Sequence, residues 1–111
     1  MSAHADLRRD DPNSLLLRCI DSGLKRYGEG VAQVVYFRLE NTNNLPKEEI
    51  PIRLDDFVSA MQDMFGSGMK SISRSITAEL KIGCGGLVEM NEDDLILSLK
   101  LARAHLQSSA V

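Results

Sequence analysis

The chain has 111 residues, a formal net charge of −3 and an apolar fraction of 43%, the size and make-up of one globular domain rather than two, and not of a disordered segment. The acidic balance argues against a protein that depends on neutralising phosphates wholesale, and no apolar run reaches the roughly 18 residues of a membrane span. Cys19 and Cys84 form no C-x-x-C, so reduced thiols in a cytoplasmic protein are expected.

Residues 1–11 have mixed charge and no apolar stretch of the kind found in signal peptides, and are expected to form a flexible tail. Asp11-Pro12 then reads as a helix start, an acceptor for orphan N–H groups followed by a proline that loses nothing in the first turn. Leu16, Cys19, Ile20, Gly23, Leu24 and Tyr27 recur at steps of three and four, so a helix is predicted over 12–27. Gly28 and Gly30 bound a tight turn. A second stripe, Val31, Val34, Val35 and Leu39, predicts a helix closed by Asn41 to Asn44. Val34 to Phe37 would equally suit a strand by propensity alone.

Leu45 to Ile52 reads as a linker with Pro46 and Pro51 and at most one turn at Lys47 to Glu49. The third helix has Asp55 and Asp56 in its first turn and Phe57, Ala60, Met61, Met64 and Phe65 on one face, and Gly66 ends it. The fourth runs from Gly68 to Ile82 with Met69, Ile72, Ile76 and Leu80 inward, stopped at Gly83 to Gly86. Leu87 to Met90 is expected to be extended. Asn91 is read as the cap of a fifth helix, with Glu92, Asp93 and Asp94 in its first turn and Leu95, Leu99, Ala102 and Leu106 inward. Arg103 and His105 fall in its last turn. The expected fold is all-α: one domain over 12–107, an irregular bundle of about five helices, with 108–111 frayed.

From Ile20 onward the strings Ile20 to Leu24, Tyr27 to Val31, Val35 to Glu40, Lys47 to Pro51, Asp56-Phe57 and Met64 to Gly68 resemble the Nitrosopumilus output domain, an archaeal helical module. The likeness covers roughly 60 residues and fades after Leu80. It departs at Arg38, where the family pattern favours histidine or another polar residue, and the C-terminal helix has no counterpart in it. The resemblance implies an archaeal, cytoplasmic module that reports a signal to partners, and it implies no catalytic residue.

No chemically competent pair can be tied together from spacing, so an enzyme and a cofactor site are both disfavoured. His4 and His105 have no companions for metal binding or nucleophilic catalysis. Gly66-Ser67-Gly68-Met69-Lys70-Ser71 lacks the spacing and preceding strand of a phosphate loop. Glu89, Glu92, Asp93 and Asp94 lack the alternation of a calcium loop. Cys84, between glycines and near Lys81, is a weak candidate for an exposed thiol of lowered pKa. Met61, Met64 and Met69 cluster with Phe57 and Phe65 around the third joint, as core or as an adaptable docking patch.

The expected role is therefore an interaction or signalling output module, self-associating as a dimer or docking another protein. Val35, Leu39, Phe57, Met61, Met64 and Phe65 form its combined core and contact set. The alternative is a nucleic-acid-binding domain using Lys70, Arg74 and Lys81 along the polar stripe that also holds Thr77.

Overall fold

A computed structural model describes residues 11–109. It contains five α-helices in the order α1 (Pro12–Tyr27), α2 (Glu29–Asn43), α3 (Leu54–Phe65), α4 (Met69–Gly83) and α5 (Leu95–Ser109). Short 3-10 segments, Lys47–Ile52 and Gly66–Gly68, precede α3 and α4. The described residues hold no strand, so the run Val34 to Phe37 is helical. Apart from Asp11, the expected N-terminal tail lies outside the described residues, as does His4. Ser108 and Ser109 belong to α5, and 110–111 lie outside the description.

Local chemistry explains most of the boundaries. Asp11 accepts a hydrogen bond from the Ser14 amide at 3.1 Å, and Pro12 opens α1. A single residue, Gly28 in extended geometry, separates α1 from α2, while Gly30 is already helical. Asn44 closes α2 in the left-handed conformation at φ 52°, and the Leu45 amide reaches back to the Leu39 carbonyl. Arg53 joins the 3-10 segment to α3 through Glu49 at 3.0 Å and Asp56 at 3.1 Å.

The start of α5 differs from expectation. Asn91 caps a separate turn, accepting from the Asp93 amide at 2.8 Å, and Asp94 is the side chain that accepts from Leu97 inside the helix at 3.2 Å. Two acceptor-bearing residues three positions apart compete for one role, and the later one takes it. Because α5 runs on to Ser109, Arg103 and His105 precede its last turn.

The centre of the bundle is the α1–α4 pair. A Cβ added to Gly23 would stand 2.5 Å from the Ile76 Cα, so the backbones touch where only glycine fits. At the far end of the same seam a Cβ on Gly83 would stand 2.6 Å from the Cys19 sulfur. Against this pair, α5 packs on α1, α3 and α4, and α2 packs on α1 and α3. The predicted inward residues of α4 and α5 are all buried. In α2, Val34 is instead exposed and Ala32 takes its place inside. The shortest dimension of the molecule, 22 Å, is about two helix diameters, so helices have one side against the core and one against solvent.

Candidate interaction surface

The six residues expected to form core and contact set divide sharply. Val35, Leu39, Phe57 and Met61 are all 0% exposed; they fall on the core side of that combined set and present no surface of their own for docking. Met64 and Phe65 are half-buried and lean on that core from the end of α3. The Met61–Met64–Met69 cluster is thus mostly interior, with Met61 and Met69 buried. Methionine fills the irregular space where the glycine joint brings α3 and α4 together.

Large apolar side chains that face solvent lie elsewhere. Phe37 is 68% exposed and Val34 is beside it on α2, three residues away. Ile82 and Leu87 flank the end of α4. The third group is on α5, where Leu97 is 46% and Leu101 37% exposed. Their spacing of four puts them on the side opposite Leu95, Leu99, Ala102 and Leu106, and Ala104 and Ser108 continue the same line. A shallow hollow of about 240 Å³ opens beside Ala104, walled by Ile52, Leu54, Asp55, Lys100, Arg103 and Gln107. Ile52 is itself 56% exposed. This helix is apolar nearly all round at its start, the composition of a helix covered on both sides.

The basic stripe of α4 is less available than its sequence suggests. Arg74 is paired with Glu92 at 3.0 Å, and Thr77 is buried rather than part of the outer face. Lys70 lines a cavity of about 370 Å³ together with Glu92, Asp93 and Asp94. Lys81 is exposed near the other end of the helix. The carboxylates come from the loop between α4 and α5, which is fastened down by Ser73 donating to the Glu92 carbonyl and by Ser98 donating to the Asn91 carbonyl at 2.9 Å. Folding therefore places acids across from the lysine and arginine that a nucleic acid would need.

Other chemistry is internal. The Tyr36 hydroxyl of α2 donates to Asp21 of α1 at 2.8 Å, Lys25 pairs with Asp21 at 3.1 Å, and Lys47 stands 3.7 Å from the same carboxylate and 4.5 Å above the Tyr36 ring. Burial works against the Asp21 charge, yet the Tyr36 hydroxyl and the two lysines outweigh it and hold the carboxyl below its ordinary range. Burial and the Asp21 charge push the Tyr36 phenol well above its own. No spacing rule joins residues 21, 36 and 47, so this cluster was not legible in the sequence.

Cys84 is 3% exposed, and burial raises the pKa of both thiols, so the exposed, activated thiol considered for Cys84 is corrected. Gly85 and Gly86 turn outward while the cysteine between the helix end and that turn points in. Gly66 serves as the cap of α3, its amide bonded to the Gln62 carbonyl, rather than as a phosphate cradle. Among the described residues no three His, Cys, Asp or Glu side chains converge as a metal site requires. No helix among them is long and apolar enough to cross a membrane. Neither a family model, a curated protein nor a solved structure matches the chain.

Proposed function

We propose that this chain is a non-catalytic interaction or signalling output module that associates, first of all with itself, through an apolar helical surface. The observation that carries this reading is α5: after its inner residues have joined the core, a second row of apolar residues, Leu97, Leu101 and Ala104, is left facing solvent beside the exposed Ile52. Leaving such a row wet forgoes roughly 25 cal/mol per Å² of apolar area, and contiguous rows of this kind mark association surfaces. The resemblance of roughly 60 residues from Ile20 onward to an archaeal output module supports the same class of role and a cytoplasmic setting. Binding of nucleic acid through Lys70, Arg74 and Lys81 is the weaker reading, because Arg74 is already paired and Lys70 faces carboxylates.

Sedimentation equilibrium over a hundredfold range of protein concentration tests the proposal. The weight-average mass is expected to rise towards twice the chain mass and to hold or rise further with added salt, because apolar association is not screened. A mass equal to one chain at every concentration and ionic strength would remove the self-association reading. Tight, salt-sensitive binding to a mixed-sequence duplex would favour the nucleic-acid reading in its place.

A further inference from the structure

Cys19 and Cys84 are the only cysteines of the chain, and the fold brings both to one end of the α1–α4 seam. The two helices run antiparallel: Gly23 lies on Ile76, and one turn earlier on α1 the Cys19 sulfur lies on Gly83. Cys84 keeps the helical register, its amide bonded to the Leu80 carbonyl at 2.9 Å. Steps of four from Ile76 through Leu80 therefore end at Cys84, on the side of α4 that faces α1. A Cβ on Gly83 would stand 2.6 Å from the Cys19 sulfur. The next Cα along, that of Cys84, is then within about 8 Å of the same sulfur. The Cys84 side chain, 3% exposed and turned inward, closes part of that span. Directly after it Gly85 and Gly86 take positive φ, 68° and 74°, so no continuing helix holds Cys84 in place.

The two thiols differ in access. Cys19 is half-buried and forms part of a hollow of about 220 Å³, walled also by Arg18, Ser22, Glu79, Ile82 and Leu106. A small molecule entering the hollow meets the Cys19 sulfur, whereas Cys84 is closed off from solvent. Burial raises the pKa of both thiols, and the Cys84 and Glu79 charges add to it at Cys19 against the pull of Arg18. Thiolate is therefore scarce at neutral pH, and the pair reacts slowly rather than at every encounter with oxidant.

We propose that Cys19 and Cys84 form a peroxide-sensitive thiol pair, Cys19 being the site of oxidation and Cys84 the thiol that resolves it into a disulfide across the α1–α4 seam. The Cys19 thiolate attacks one oxygen of a hydroperoxide, the O–O bond breaks, and a sulfenic acid forms with release of water or an alcohol. The Cys84 thiolate then attacks the Cys19 sulfur. The S–S bond forms as the S–O bond breaks, and the departing hydroxide takes up a proton to leave as water. The two thiols lose two hydrogens and two electrons between them, and the hydroperoxide gains those electrons. This chemistry is independent of the association surface proposed above.

Intact mass and thiol count of the full chain, followed with time in hydrogen peroxide without denaturant, test the pair. The mass is expected to fall by two hydrogen atoms, and maleimide-reactive thiols to fall from two to none, with dithiothreitol reversing both. Peptide mapping without reductant is expected to join the segments holding Cys19 and Cys84. The crosslink closes a long loop, so the oxidised chain is expected to melt about 10 °C higher. Cys84→Ser removes the resolving thiol, so dimedone is expected to label Cys19 and sulfinic acid to follow. Cys19→Ser is expected to leave Cys84 unmodified over the same time.

Two free thiols after a time that oxidises a free cysteine peptide, or disulfides that only join separate chains, would overturn the proposal. So would a melting temperature that fails to rise, or Cys19 sulfinic acid forming equally fast with and without Cys84. Dimedone on Cys84 in Cys19→Ser would overturn the division of roles. Should a serine variant lose its helical signal, the mass, peptide map and melting of the parent chain decide alone.

Discussion

Helices α1 and α5 both lie against α4, yet they treat their outer sides differently. α1 is finished by its own chain: Arg26 reaches Glu79 of α4 at 3.0 Å, and Asp21 is held by Tyr36, Lys25 and Lys47. Its inner side meets α4 so closely that Gly23 lies on the Ile76 backbone. α5 has no comparable dressing; Lys100 pairs with Asp55 on its flank, and leucines occupy the exposed row between. Polar residues that find partners within the fold mark a face that is complete, whereas apolar residues without any mark one that is not.

The contrast can be broken hardest at the α1–α4 seam. Gly23→Val places a branched side chain where even a Cβ stands 2.5 Å from the Ile76 Cα. Backbone cannot yield as the tip of a side chain can, so a loss of about 4 kcal/mol or more is expected in urea unfolding, enough to unfold much of the population. A loss under about 1 kcal/mol would mean that the helices separate easily and that the seam is not the organising contact.

Within α5 the comparison can be sharpened by two substitutions of the same chemistry. Leu99→Ala empties a fully buried position and is expected to cost about 3 kcal/mol. Leu97→Ala, measured at concentrations where the chain is monomeric, is expected to stay within about 0.5 kcal/mol of the parent because the side chain is partly in water. Equal losses would place Leu97 in the interior and remove the outer row.

The bundle itself was readable from the order of residues because each helix boundary is a local event. Asp11-Pro12, Asn44, Gly66 and Gly83 to Gly86 act on groups within about one and a half helical turns of themselves, and the inward rows of α3, α4 and α5 follow from period alone. Val34 shows where period stops helping. It sits at the edge of its stripe, and whether an edge residue turns in depends on where the neighbouring helix lies. The combined core and contact set could not be divided from sequence for the same reason: Phe57 and Leu97 look equally apolar there, and only tertiary placement buries one and leaves the other wet. The unexpected start of α5 is a competition between Asn91 and Asp94, both good acceptors, settled by Ser73 and Ser98 binding the loop carbonyls.

The smallest expected effect comes from the finished side of α1. Tyr36→Phe removes the hydroxyl that donates to Asp21 at 2.8 Å while keeping the ring that Lys47 covers, so a loss of about 1.5 kcal/mol is expected at neutral pH, the range for a hydrogen bond to a charged group. Its pH dependence separates this cause from a packing defect. Asp21 has its carboxyl pKa lowered in the fold, so its contribution is present above the unfolded value of about 3.9 and disappears as pH falls through the lower, folded value. The gap between parent and variant therefore narrows in acid. Tyr36 has its pKa raised in the fold, so its contribution is present below the unfolded value of about 10 and is lost as pH climbs beyond it. The gap narrows again in alkali, because unfolded tyrosine ionises and phenylalanine does not. Unfolding free energies of the two proteins from pH 3 to 10.5 should differ most in the middle of that range; a difference that is flat across it would show that Tyr36 contributes only its ring.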